Sequence, residues 1–541
     1  VAGIRNFKRI YAEYVKSLTA KNTIYAGFTT DFEGQPMELD SSGWRADDYG
    51  ITKDNGIFEE MACCHPIMPV ERLVNIDTGV EKLKLAYSKG KRWREIIVDK
   101  KTIASTQSII NLADNGIMVN SDNAKALVKY LHDVENANYA IIPEKKSVGR
   151  LGFVPHEGFS PYVDGLIFDG DANFKHIFDA INSKGSYDKW LEVAREIRQT
   201  NTMARIVLAC AFASVLVEPM GALPFFLHLW GGESGTGKTV ALMLAASVWA
   251  SPDMGRYIQT FNSTAVGREK LASFLNHLPL CIDELQLANR GGRHQFNIYE
   301  LAEGVGRTRG TKTGGIDQTP TWANAIITTG ETPITALSDG AGAVNRVIEV
   351  ECSSSQKIIE DGHRVSGILK QNYGFAGKQF VEYLYSGDTV MEQASLIYKE
   401  AFKAFASSDT TDKQAGSAAL IFVADVFATK WIFKDDRALE VNDIARFLAS
   451  KASVSAGERG YRYMLDWVTQ NANKLKAAVE QGDVYGIIED DYAYIIGTVF
   501  RKAAEEGGFS STALLSWLRS NNKISAREKR NTRGKRINGV L

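Results

Sequence analysis

Net charge is almost missing from this chain: 63 basic residues stand against 64 acidic ones over 541 positions, a formal charge of -1. A general polycation is therefore excluded, and any affinity for nucleic acid must come from locally concentrated charge. Cysteine is scarce too. Five residues (Cys63, Cys64, Cys210, Cys281 and Cys352), odd in number and scattered, argue against a disulfide framework and for free thiols in a reducing compartment. Cys63-Cys64-His65 has no C-x-x-C or H-x-x-x-H partner nearby, so no zinc site is assigned there. The longest apolar run, Ile206 to Val217, stops at Glu218-Pro219, short of the ~20 residues a membrane-spanning helix needs. No secretory leader, repeat or low-complexity tract is evident. The expectation is a cytoplasmic protein with no membrane partner.

What is present is an ordinary globular composition, 44% hydrophobic and 23% charged, on a chain long enough for about three or four domains. The first domain reads as α+β over residues 1–160. Leu73 to Ile76, Val80 to Tyr87 and Arg92 to Val98 form a predicted meander, its middle strand alternating as a half-solvated strand does. Helices are expected at Gln107 to Asn115 and Asp122 to Val134, the second capped by Ser121 or Asp122. Glycines, prolines and aspartates over 150–172 read as a connector, and 161–200 as connector plus helix.

The next segment, 201–385, carries the chemistry. Gly232-Glu233-Ser234-Gly235-Thr236-Gly237-Lys238-Thr239 matches the P-loop pattern at every fixed position. An apolar run precedes it and a helix-like run follows, the context the pattern requires. Backbone N–H groups of Gly232, Ser234, Gly235, Thr236 and Gly237 would converge on phosphate oxygens, Lys238 would reach the β- and γ-phosphates of ATP, and the Thr239 hydroxyl would hold Mg²⁺. Downstream, Leu280-Cys281-Ile282-Asp283-Glu284 is a strand ending in two carboxylates. Asp283 suits the Mg²⁺ shell and Glu284 the attacking water. A third strand ends in Thr328-Thr329-Gly330, where either threonine could sense the γ-phosphate. Arg346 stands just before a last strand, Val347 to Val350, where it could serve as a finger in a neighbouring subunit's site. Between the second and third strands, Gly304 to Gly315 is glycine-rich and basic. It suits a projecting hairpin that grips DNA through Arg307, Arg309 and Lys312.

Residues 386–480 read as a helical lid-like domain. Residues 481–541 read as a winged helix whose basic end, including Lys529, Arg530, Arg533, Lys535 and Arg536, would bind duplex DNA.

Taken together, Gly-Glu-Ser-Gly-Thr-Gly-Lys-Thr, Cys-Ile-Asp-Glu, Gly-Arg-Thr-Arg-Gly-Thr-Lys-Thr-Gly-Gly and Thr-Thr-Gly-Glu-Thr-Pro resemble the MCM-like replicative helicases of mobile genetic elements, those of staphylococcal cassette chromosomes and pathogenicity islands above all. The resemblance implies a multidomain α/β protein with an AAA+ P-loop ATPase core, an α+β N-terminal domain, a helical lid and a C-terminal winged helix. It implies a ring, hexameric by expectation, with ATP and Mg²⁺ bound between subunits. Single- and double-stranded DNA and other replication proteins of the same element are the implied partners. Lys238, Thr239, Asp283, Glu284 and Arg346 take the family roles above, and Lys413 is the candidate second sensor on the helical domain. The alternatives left open are an ATP-dependent initiator or regulator that does not unwind, and a DNA-packaging or transfer motor.

Overall fold

The computed structural model describes residues 28–289, 296–310, 319–335, 340–406, 409–476 and 483–525. Lys312, Lys529, Arg530, Arg533, Lys535 and Arg536 lie outside these residues. The chain divides into two compact units. One holds the residues up to Gly149 together with Val163–Ala172, and the other holds Arg150–Tyr162 and everything from Asn173 onward.

The first unit is built on the expected meander, Ile67–Asn75, Glu81–Lys89 and Arg92–Asp99, all antiparallel. Strand alternation decides which side faces the core. Leu83, Leu85 and Tyr87 are buried, while Lys84 turns outward between Glu71 and Glu95 at 3.0 and 2.8 Å. The strand Glu144–Val148 adds in parallel to the first meander strand, and Ile167–Phe168 adds to that. The helix Ala124–Ala137 buries Leu127, Tyr130, Leu131 and Val134 in the same core, and the Tyr130 hydroxyl donates to the Ile67 carbonyl at 2.9 Å. Its N-cap is Asn123, one residue beyond the expected caps. Asn120 explains the delay, because its side-chain oxygen already accepts the N–H groups of Asp122 and Asn123. The helix expected over Gln107 to Asn115 is a 3₁₀ helix, Ile109–Asn115. Cys63 is buried in this core. His65 takes the Met118 N–H on Nε2 and lies 3.0 Å from the Pro66 carbonyl through Nδ1.

The glycine-rich stretch after Gly149 is more than a connector. Gly152–Val154 and Gly158–Ser160 pair as an antiparallel hairpin within the second unit, and Gly152 and Gly158 take the positive φ values of +89° and +127° that its ends require.

The second unit centres on five parallel strands in the spatial order Gln259–Thr260, Leu280–Asp283, Ala325–Gly330, Phe225–Trp230, Val347–Glu351. The strand ending in the threonines thus lies between the P-loop strand and the Asp-Glu strand. All six residues of Ala325–Gly330 are buried, as a parallel strand covered on both faces should be. Two helices lead in. Tyr187–Thr200 is capped by Ser186 and Thr202–Ala213 by Asn201, each accepting an N–H three residues on. The second is buried along almost its whole length and packs on both the P-loop helix and the helix Asp412–Ala428.

The helix Asp412–Ala428 and its continuation to Phe433 are long and apolar enough to cross a membrane by length and composition alone. Most of that stretch is nevertheless covered by protein. Its fixed point is Arg198, fully buried with Asp425 at 2.7 Å, Thr429 at 2.7 Å and Asp435 at 3.3 Å. The Phe433 ring lies under the guanidinium at 4.2 Å.

The C-terminal part begins earlier than expected. The helix Ala456–Gln470, read from the sequence as part of the lid, shares a small core with the helices Gly497–Glu506 and Ser511–Ser520 through Met464, Ala503, Phe509, Leu514 and Leu518. An antiparallel hairpin, Gly486–Glu489 with Tyr492–Ile495, comes before those two helices.

Candidate nucleotide-binding site

The P-loop joins the buried strand Phe225–Trp230 to the helix Lys238–Ser247. Gly235 and Gly237 sit at φ +75° and +89°, a region that L side chains avoid. At Gly237 the need is also steric: a Cβ there would stand 2.7 Å from the backbone nitrogen of Ile359. Three other segments hold the loop in place. Gly231 N–H donates to the Gly330 carbonyl at 3.2 Å, Ile358 N–H to the Thr236 carbonyl at 2.9 Å, and Cys352 N–H to the Trp230 carbonyl at 2.7 Å. Lys238 folds over the loop, its ammonium 2.8 Å from the Gly231 carbonyl, 2.9 Å from that of Glu233 and 3.2 Å from the Thr236 hydroxyl. Thr239 follows, exposed in the first turn of the helix.

The strand Leu280–Asp283 ends with Asp283 buried and Glu284 exposed. Glu284 has φ +63°, a left-handed conformation that costs a non-glycine residue about 1–2 kcal/mol and clusters at functional sites. Register then explains which threonine meets it. Ile282 is paired with Thr328, so the following residues, Asp283 and Thr329, emerge side by side. The Thr329 hydroxyl donates to Asp283 Oδ1. The Glu284 N–H lies 3.1 Å from the same carboxylate oxygen and 3.2 Å from the Thr329 hydroxyl. Asp283, Glu284 and Thr329 therefore form one cluster at the ends of two neighbouring strands.

Thr328, expected at the site, is not brought to it. It points to the opposite face, fully buried, with its hydroxyl 2.8 Å from His228 Nδ1. The other ring nitrogen of His228 lies 2.9 Å from the Thr332 carbonyl, which can only accept. That fixes the proton on Nε2 and leaves Nδ1 to accept from Thr328. Burial holds this imidazole neutral, its pKa lowered to about 4.

Arg346 and Lys413 meet elsewhere. Both line a cavity of about 160 Å³ with Leu223, Tyr398, Phe402 and Asp412, and no residue of the P-loop contributes to it. The start of the helix Asp412–Ala428 is pinned to Arg346's own segment. Thr411 donates to Asn345 at 2.6 Å, and Gln414 donates to the Val344 and Val347 carbonyls at 3.0 and 2.6 Å. Arg346 itself is only 7% exposed and pairs with Glu303 at 3.0 Å.

The basic segment after Gly304 folds back on residues 319–322. Gly306 N–H donates to the Pro320 carbonyl at 2.8 Å and Trp322 N–H to that of Gly304 at 3.0 Å. Val305 and Thr321 form an antiparallel bridge. The two arginines differ sharply here. Both approach Glu269, a fully buried acid on the helix Ala265–Leu275, but Arg309 is held at 2.6 Å, while Arg307 Nε stays 3.8 Å away on a side chain that is 73% exposed. Glu269 and Glu303 went unread in the sequence because neither belongs to a motif; each acquires its partner only through the fold.

The residues present fit a magnesium-bound nucleoside triphosphate. The Gly231 and Glu233 carbonyls hold the Lys238 ammonium at the loop, and the helix N-terminus adds its partial positive charge. Thr239 and Asp283 offer hard oxygen donors. Among the described residues no cluster of three or more His, Cys, Asp or Glu side chains could hold a metal by itself.

No curated protein matches the sequence. A solved structure described as "SCCmec type IV Cch - active helicase" superposes with a TM-score of 0.68 at 19% identity, over 91% of this chain and 95% of that one. At that identity the likeness shows a shared fold. The A form apo structure of the NrS-1 C terminal region aligns at 10% identity over 70% of this chain and 90% of that one, with a TM-score of 0.27 that carries no argument. Residues 455–540 match the Cch helix turn helix domain, beginning where the helix Ala456–Gln470 joins the C-terminal core. The resemblance drawn from the motifs to helicases of staphylococcal cassette chromosomes thus holds in fold and in C-terminal domain. Residues 37–322, more than half the chain and including the P-loop, Asp283 and Glu284, match the family described as a domain of unknown function, DUF927, and to that family this chain belongs.

Proposed function

We propose that this chain is an ATP-driven DNA helicase of the AAA+, MCM-like class that works as a ring of copies, hexameric by analogy, and moves along single-stranded DNA. One observation carries the reading. The Asp283–Glu284–Thr329 cluster lies on the sheet that bears the P-loop, whereas Arg346 and Lys413 line a separate cavity to which the P-loop contributes nothing. A complete site on this plan needs two copies, one presenting the cradle and the other its arginine and lysine.

In that site the loop N–H groups and Lys238 bind and orient the triphosphate. Mg²⁺, when bound, would supply positive charge against the phosphate oxygens. Thr239 and Asp283 would hold the ion, with Thr329 fixing the Asp283 carboxylate. Glu284, thrown clear of the strand by its left-handed backbone, orients the attacking water and draws off its proton. Arg346 from the next copy stabilises the charge that develops in the transition state. The exposed Arg307 and the basic C-terminal end supply phosphate contacts to DNA, and the helix-turn-helix match supports a duplex-binding role for residues 455–540. Residues 201–385 form the ATPase core and the helices after it the lid.

The exposed arginine on the hairpin favours a motor over a switch that only assembles on DNA, since an assembly switch has no need of a cation projecting from its core. A fork-unwinding assay with ATP, run beside native mass measurement, tests the reading. ATP-dependent strand separation by a ring is expected, and none by Glu284→Gln. Unwinding by Glu284→Gln at the undiminished rate would sink the mechanism, and a protein that hydrolyses ATP on DNA without separating a fork would favour the initiator.

A further inference from the structure

We propose that Glu303 is a positioning residue that stows Arg346 and ties its release to the hairpin. The inference rests on the reading above of Arg346 as a group offered to a neighbouring copy's nucleotide.

The stowage is a clamp of two side chains. Tyr299 and Glu303 lie four residues apart around the short helix Tyr299–Ala302, so both face the same way. The Arg346 guanidinium lies between them, 5.5 Å from the Tyr299 ring centroid and 3.0 Å from Glu303 Oε1, with a further bond to the Gly342 carbonyl at 3.0 Å. The fit is close: a Cβ on Gly342 would stand 2.7 Å from the Tyr299 hydroxyl. Held like this, the guanidinium is buried and faces its own chain. All three of these contacts lie within the one chain.

The clamp is built to open. Arg346 Nε finds no partner among the described residues, so the stowed state does not satisfy a group whose planar fork favours phosphate. The Glu303 side chain is 48% exposed, and water weakens an ion pair with one solvated partner. A phosphate in a drier interface would outcompete it.

Connectivity supplies the trigger. Glu303 is followed at once by Gly304, where the hairpin begins with φ +72°. Trp322, on the returning segment, bonds through its backbone to Gly304 and through Nε1 to the Leu301 carbonyl at 2.7 Å. The other side of the same helix is tied down by Glu300 to Arg268 at 2.8 Å. A pull on the hairpin, such as a phosphate drawing Arg307, therefore reaches Glu303 through a stiff base. Without DNA the finger is stowed and hydrolysis is slow; DNA on the hairpin withdraws Glu303 and frees Arg346. The ring then spends ATP only when it has a strand to move.

The test compares ATP hydrolysis by wild type, Glu303→Gln, Glu303→Asp and Arg346→Ala, each with and without single-stranded DNA. Glu303→Gln is expected to raise the DNA-free rate several-fold and bring stimulation by DNA close to one, while the DNA-saturated rate is kept. Glu303→Asp, which retains the carboxylate, should restore part of the DNA dependence. Wild-type behaviour from Glu303→Gln overturns the proposal. So does a loss of rate with and without DNA, which would make Glu303 a support for the working finger rather than a restraint. An Arg346→Ala protein that hydrolyses normally would instead overturn the underlying reading of Arg346. A second measurement needs no variant. Modification of Arg346 by phenylglyoxal in nucleotide-free wild type, followed by peptide mass, should be slow alone and faster with single-stranded DNA; equal rates would overturn the link.

Discussion

The two parts of the proposed catalytic apparatus are made in different ways. The P-loop side is mostly backbone: glycines at positive φ, carbonyls turned onto Lys238, and two strand ends whose register sets Asp283 beside Thr329. The Arg346 side is mostly side chains with partners within the chain, Arg346 on Glu303, and Thr411 and Gln414 beside Lys413 on Asn345 and Val347. A backbone site is shaped before its ligand arrives. A side-chain site with internal partners has two states and can be regulated.

Six substitutions would break or sharpen that contrast. The largest effect is expected from Lys238→Ala, which removes the one cation of the cradle and should lower kcat for ATP hydrolysis by about 10²–10³-fold with little change in melting temperature. A small kinetic loss would mean that the backbone alone carries the site. Next, the adjacent threonines should separate cleanly. Thr329→Val removes the hydroxyl between Asp283 and Glu284 and should cost roughly tenfold in kcat, whereas Thr328→Val leaves His228 Nδ1 unpaired and costs about 1–3 kcal/mol of stability with kcat nearly intact. Denaturant titration and steady-state rates on both variants decide it, and the reverse pattern would refute the register argument.

The arginines of the hairpin should divide in the same way. Arg307→Ala is expected to weaken single-strand binding and reduce the slope of log affinity against log salt by about one. Arg309→Ala removes the nearer cation from the buried Glu269, leaving it Arg307 Nε at 3.8 Å and the Arg307 N–H at 3.4 Å, and should cost on the order of 2 kcal/mol of stability with a smaller effect on that slope. Equal salt slopes for the two would remove the distinction. The smallest effect concerns pH. The folded-state pKa of His228, lowered to about 4 by burial, lies below its unfolded value of about 6.5. The neutral ring therefore contributes stability that is complete above about pH 6.5 and is lost as pH falls toward 4, at most about 3 kcal/mol. His228→Gln should flatten the acid limb of a stability profile over that window; an unchanged limb would show that other groups dominate it.

The contrast also explains what could be read from the sequence. Lys238, Thr239, Asp283 and Glu284 announce themselves by spacing, because a phosphate cradle and a strand-end carboxylate pair need fixed local geometry. The meander of the first unit was legible for a similar reason, since alternation over Val80 to Tyr87 follows from one half-solvated strand. Thr328 and Thr329 could not be told apart, because strand register is a property of two chain segments and the sequence shows one at a time. Glu303 and Glu269 were invisible as partners for the same cause: each is an ordinary acid until the fold supplies an arginine. The boundary near residue 455 was missed because the apolar stripe of the helix Ala456–Gln470 looks the same whichever core receives it.

The strand Ile167–Phe168 has a consequence for how the chain is made. It returns to the first unit after the hairpin of residues 152–160 has already been laid down for the second. Just beyond it, Asp169 accepts hydrogen bonds from Asn75 at 2.9 Å and Ser147 at 3.0 Å, all three side chains being buried. The expected order on the ribosome is that the first unit closes only once Asp169 has emerged, after the hairpin of its neighbour. A fragment cut at residue 160 would leave Asn75 and Ser147 without that carboxylate, and should be recovered as a loosened, protease-sensitive species where one ending at residue 172 is compact.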